Sequence, residues 1–157
     1  MNILRVIALL MDYPDESIRE HSDELRGEIQ SAIEIPPETR TAILELLESL
    51  CAGDLMDVQE AYTGQFERGR SLSLLLFEHV HGESRDRGQA MVDLMEEYSQ
   101  AGFEINVKEL PDYIPMYLEY LSTRDPLDAR VGLADVSHIL AVLSARLQER
   151  SSLYHVL

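Results

Sequence analysis

The chain has 157 residues, is 45% hydrophobic, and carries 29 acidic against 13 basic side chains, a formal charge of −16. That length suits one domain around one core, and that apolar fraction excludes an unfolded chain. So large a negative charge repels phosphate backbones and anionic lipid. It argues against nucleic acid or a bilayer surface as partner, and favours a basic or polar-amphipathic peptide.

Hydrophobic spacing is helical almost throughout, which predicts an all-α bundle of about seven to nine helices in one domain, residues 1–157. Ile3, Val6, Ile7 and Leu10 form the first stripe. The apolar run Ile3–Met11 is interrupted by Arg5 and is too short to span a bilayer. It leads into Asp12-Tyr13-Pro14-Asp15 with no small-residue cleavage site, so it reads as the buried first helix of a cytoplasmic protein. Pro14 stops it, and Ile18, Ser22, Leu25, Ile29 and Ala32 predict one second helix. After Pro36-Pro37 a third carries Ile43, Leu46, Leu47 and Leu50, stopped by Gly53. Asp54 is a natural N-cap for the next, with Leu55, Val58, Tyr62 and Phe66 inward.

Gly69 marks a break, and a short, very apolar helix is expected over Ser71–Val80. Gly82 and Ser84 open a longer one with Met91, Leu94, Met95 and Tyr98 inward, ended by Gly102. Phe103–Val107 is the one strand-like stretch and reads as a loop. Pro111 suits the first turn of a helix with Ile114, Tyr117, Leu118 and Leu121 inward. The most regular stripe is the last: Leu133, Val136, Leu140, Leu143 and Leu147. The run Ser151–Leu157 reads as the start of a further helix, as expected of a chain cut before a C-terminal tail.

Nothing in this pattern resembles an active site, and the chain reads as a binding protein rather than an enzyme. There is no G-x-S-x-G elbow, P-loop or dinucleotide fingerprint. Cys51, the only cysteine, sits among Leu46, Leu47 and Leu50 as a small core residue, leaving neither a disulfide nor a cysteine zinc site. His79 and His81 are two apart, so on a helix they point to different faces and make a poor metal pair; no metal site is expected. The acidic clusters read as solvated faces and caps.

Two constellations carry more information. Arg68, Arg70, Arg85 and Arg87 bracket the expected short helix. They either pair with Glu67, Glu78, Glu83 and Asp86, or contact an anion such as a phosphate-bearing cofactor. Tyr113, Tyr117 and Tyr120 cluster at one helix start beside Glu109, Asp112 and Glu119. Such tyrosines suit a half-buried recognition surface, and equally core packing with Asp112 as a cap.

At these two places the chain resembles a known family. Phe66-Glu67-Arg68-Gly69-Arg70, the run from Ser73 to Leu94, Tyr13-Pro14-Asp15, Glu109-Leu110-Pro111-Asp112, Tyr117-Leu118-Glu119-Tyr120-Leu121 and Leu143-Ser144-Ala145-Arg146-Leu147 are similar to the NarJ family. These are molybdenum-cofactor assembly chaperones of respiratory nitrate reductase, related to the TorD/DmsD-type molybdoenzyme chaperones. The resemblance implies their all-helical fold, and a chaperone that holds no cofactor permanently. It implies binding of the N-terminal segment of the nitrate reductase catalytic subunit in the cytoplasm, with molybdenum cofactor insertion before membrane attachment. Contact with molybdenum cofactor biosynthesis proteins and an acidic tail beyond residue 157 are further expectations of that resemblance.

The expected mode is a helix in a groove, with the partner between the Ser71–Val80 and Pro111–Leu121 helices. Candidate contacts are Leu74, Phe77, Glu78 and His81 on one side and Glu109, Asp112, Tyr113, Tyr117 and Tyr120 on the other. The alternative is a carrier of molybdopterin or a nucleotide through Arg68, Arg70, Arg85 and Arg87. A third reading is a metal enzyme using His79 and His81.

Overall fold

The computed structural model describes residues 2–81, 85–105 and 108–157. Among them are nine α-helices, one closing 3-10 turn and no strand, the predicted all-α class. The expected helix start at Gly82 and Ser84, and Val107 of the expected loop, lie outside the described residues; Phe103–Ile105 carry no regular structure.

Helix α1, Asn2–Met11, buries Ile3, Leu4, Val6, Ile7, Ala8 and Leu10 and forms the centre of the core. The predicted second helix is two pieces, α2 (Glu16–Glu20) and α3 (Ser22–Ser31). The break is at His21, where the Ser17 carbonyl receives the backbone N–H and also meets ring Nδ1 at 2.9 Å. Ile18, Leu25 and Ile29 still reach the core from both pieces. Helix α4, Pro37–Cys51, has Pro37 in its first turn and buries Ile43, Leu46, Leu47 and Leu50 as predicted. Gly53 turns away from it at φ +67, which a side chain would resist. Arg19 donates to the carbonyls of Gly53 (2.8 Å) and Ala52 (3.3 Å), so a cation offsets the negative end of α4. Cys51 is only half-buried at that end, and burial raises its thiol pKa.

Asp54 caps α5 (Leu55–Phe66) by accepting the Met56 N–H, and the Tyr62 hydroxyl donates to the Met11 carbonyl at the end of α1. The expected helix over Ser71–Val80 is a correction. Only Leu76–Val80 (α6) is helical; Leu72 lies in a turn, Leu74 at a bend, and Leu75 in a single bridge. Leu75 forms a bridge with Tyr113, and the N–H groups of Leu76 and Ile114 donate to Asp112 and Leu74. A short, fully apolar run looks alike as buried strand or buried helix, so its spacing could not decide this.

Helix α7, Arg85–Gln100, ends before Gly102 at φ +72. It buries only Leu94 and Tyr98; Met91 is half-buried and Met95 exposed, against the expected four-residue face. Helix α8, Ile114–Ser122, lies alongside α1 and starts later than expected, with Pro115 rather than Pro111 in its first turn. A turn at residues 111–112, closed by the Tyr113 N–H on the Leu110 carbonyl, and the bridge of Tyr113 to Leu75 come before the helix and postpone it. Helix α9, Pro126–Glu149, is about 36 Å long at 1.5 Å per residue. Ile139, Leu143, Leu147 and Ala129 are its buried side chains, while Leu133, Val136 and Leu140 are half-buried. The chain closes in a 3-10 turn, Leu153–Val156, against α9 and α4. No helix among the described residues is long and apolar enough to cross a membrane.

Candidate functional site

The groove expected between the leucine segment and the tyrosine helix is closed. Asp112 is wholly buried and accepts the Phe77 N–H at 2.9 Å; with the backbone bonds at Leu74 and Leu76 it stitches the two segments together. Burial raises the Asp112 carboxyl pKa, and the Phe77 N–H and the Arg87 charge only partly offset this. Leu74, Tyr117 and Tyr120 are also buried. Tyr117 donates to the Gly132 carbonyl (3.0 Å) and Tyr120 to Glu97 (3.0 Å). Phe77 and His81 pack edge to face, half-buried, and Glu78 forms an ion pair with Arg87 at 3.8 Å.

Glu109 and Tyr113 stand elsewhere. They border a trough of about 700 Å³ whose floor is α1. Along that helix and just past its end, Asn2, Arg5, Leu9 and Asp12 follow one another at three- and four-residue spacing and so share one face, with Val6 beside them. One wall is α3, through Glu24, Leu25 and Glu28. The other is the start of α8, with Pro115, Met116 and Glu119; Phe103 and Glu104 also border the trough. Six carboxylates and one guanidinium surround a floor that contains Leu9, 39% exposed on an otherwise core-forming helix. Asp12 is held in place by the Tyr113 hydroxyl at 2.7 Å, and Glu109 has its carboxyl raised by burial and then by the charge of Asp12.

The four arginines do not converge. Arg68 borders a separate shallow depression on α5 with Tyr13, Met56 and Glu60, and Arg70 and Arg85 are exposed. Arg87 reaches Glu78, and Glu83 lies outside the described residues. His79 Nε2 meets the Ser73 carbonyl at 2.7 Å rather than facing His81.

With this geometry in place, comparison with known proteins is decisive. The profile of the nitrate reductase delta subunit family matches residues 33–155. The chain belongs to that family. It is 49% identical, over 98% of its own length, to the nitrate reductase molybdenum cofactor assembly chaperone NarJ of Escherichia coli (strain K12). It is 45% identical over its full length to the probable assembly chaperone NarW of the same organism, and 28% identical over 94% to the probable NarJ of Bacillus subtilis (strain 168). The chain spans 65% of the length of the two Escherichia coli relatives.

In this member of the delta subunit family, Glu109 and Tyr113, expected in the other groove, and Glu119 border the trough. Arg5, Leu9, Glu24, Glu28 and Phe103 went unnoticed. One signal was present: Asn2 and Arg5, with Asp12 just past the helix end, put polar residues on one side of an otherwise apolar helix.

Proposed function

We propose that this chain is a system-specific chaperone that binds the N-terminal segment of the nitrate reductase catalytic subunit in the trough over α1. It holds that apoprotein for molybdenum cofactor insertion before membrane attachment, acts in the cytoplasm, and contacts molybdenum cofactor biosynthesis proteins. The chain itself performs no catalysis and keeps no cofactor. The observation that carries the reading is the trough: a cavity of about 700 Å³ over α1, bordered by α3 and α8, apolar at Leu9, Phe103 and Met116 and rimmed by six carboxylates. A helix with an apolar stripe and basic flanks would become a further member of the bundle there. The printed names of the relatives, assembly chaperones of nitrate reductase, point the same way. The scatter of the arginines gives no comparable support to a molybdopterin or nucleotide carrier, which needs several guanidinium groups around one phosphate.

Calorimetry of the chain with a synthetic peptide of the catalytic subunit's first fifteen or so residues tests this. Saturable binding is expected that weakens with salt and drops at least tenfold for Leu9→Gln. Absence of binding at low salt, or an unaffected Leu9→Gln variant, would sink the reading.

A further inference from the structure

We propose that the bound segment lies in the trough in one direction only, antiparallel to α1, with its amino end against Asp12 and Glu109 and its carboxyl end against Arg5. This rests on the reading that the trough takes a helical segment of the partner, and adds its polarity. Residues Asn2 to Asp12 extend about 15 Å along the floor, enough for two to three turns of a partner helix. The wall acids Glu24, Glu28 and Glu119 can meet basic flanks whichever way the partner runs, so direction is decided where α1 begins and ends.

Those ends differ. At the carboxyl end Asp12 is fixed by Tyr113, Glu109 stands within reach of its charge, and the α1 dipole adds partial negative charge. Toward the amino end stands Arg5, the one cationic side chain of the trough among the described residues, beside the positive end of the dipole. Among the described residues Arg5 has no carboxylate at ion-pair distance, so its charge is open to a partner. A helix that is also a chain's own amino terminus carries roughly half a charge from its dipole plus one from its α-amino group. That combination is drawn to Asp12 and Glu109, while the terminal carbonyl groups of the same helix complement Arg5. The reverse orientation sets like charges together at both ends.

Photo-crosslinking tests this with the same fifteen-residue peptide, amino group free, carrying benzoylphenylalanine at its second or its last position. Mass spectrometry should place the amino-proximal adducts on Asp12–Tyr13 and Glu109–Met116, and the carboxyl-proximal adducts on Asn2–Val6. A swapped pattern, or equal labelling of both ends by each peptide, overturns the direction and leaves the trough as the binding site. Adducts confined to other faces, or no complex at all, overturn the trough reading as well. A second measurement needs no adduct. Glu109→Lys should weaken the free-amine peptide by about fivefold but the acetylated one by less than twofold; equal losses would overturn the assignment of the amino end.

Discussion

Asp112 offers the sharpest test of how this chain uses its acids. Its carboxylate is fully buried, accepts the Phe77 N–H at 2.9 Å, and has its pKa raised mainly by burial. Asp112→Asn keeps an acceptor for Phe77 and removes the buried charge; Asp112→Ala removes both. Since the two variants differ in the acceptor, Ala should be less stable than Asn by about 1–3 kcal/mol, the cost of an orphaned buried N–H. The pH dependence has a definite sign. A carboxyl raised in the folded state binds its proton more tightly there than in the unfolded chain, whose value is about 3.9. The folded state then holds more protons across that window, so its stability falls as pH rises from the ordinary value to the raised one, by about 1.4 kcal/mol per unit of elevation. Asn lacks this slope, and its stability advantage over the wild type should widen between pH 4 and 7. With no tryptophan in the chain, urea unfolding followed by far-ultraviolet circular dichroism is the assay. Parallel wild-type and Asn profiles, or equal stability of Ala and Asn, would refute the reasoning. Folded Asp112→Asn should bind the partner peptide within twofold of wild type; a tenfold loss would show that this carboxylate reaches the ligand.

Tyr98→Phe removes the buried hydroxyl that donates to the Pro111 carbonyl at 2.7 Å, and should cost about 1–3 kcal/mol in denaturant unfolding, with faster amide exchange in α7. At Gly132 an added Cβ would sit 2.4 Å from a Leu121 methyl and 3.1 Å from the Tyr117 hydroxyl, so Gly132→Leu should lower stability by at least about 2 kcal/mol; an unchanged melting midpoint would contradict the close α8–α9 approach. Neutralising the trough walls with Glu24→Gln, Glu28→Gln and Glu119→Gln removes interactions of about 0.6 kcal/mol each at roughly 7 Å in water. Peptide affinity should fall about twentyfold at low salt and less than threefold at about 0.5 M, where screening acts over only a few ångströms. Asp125 caps α9 through the N–H groups of Leu127 and Asp128, and the Asp128 N–H leads in lowering its carboxyl pKa. Its contribution is present above the ordinary carboxyl value and lost as pH falls through the lowered one, so Asp125→Asn should unfold with a flatter acid limb in a pH titration of ellipticity.

The helices most legible in the sequence are those whose own residues settle the matter. Asp54, Gly53 and Pro37 start and stop α4 and α5 through bonds and dihedral limits within a few positions, and Ile43, Leu46, Leu47 and Leu50 share a face at any packing angle. The same local logic named the all-α class, and the run from Ser73 to Leu94 sufficed for the family resemblance. Spacing could not say whether the helix would include Leu74 and Leu75, because the partner for the backbone groups of Leu74 and Leu76 is residues 112–114, far along the chain. That pairing goes with the delayed start of α8 and the burial of Asp112, and four of the nine expected contact residues, Leu74, Asp112, Tyr117 and Tyr120, are interior. The trough depended on tertiary structure still more. Arg5, Glu28, Phe103 and Glu119 are distant in sequence and share no period, and they come together only because α3 and α8 both lie against α1 while leaving one of its faces open. Local propensity and hydrophobic period act over a few residues, so they determine which segments are helical and which sides are apolar. Which apolar sides meet, and which one is left for a ligand, depends on long-range packing.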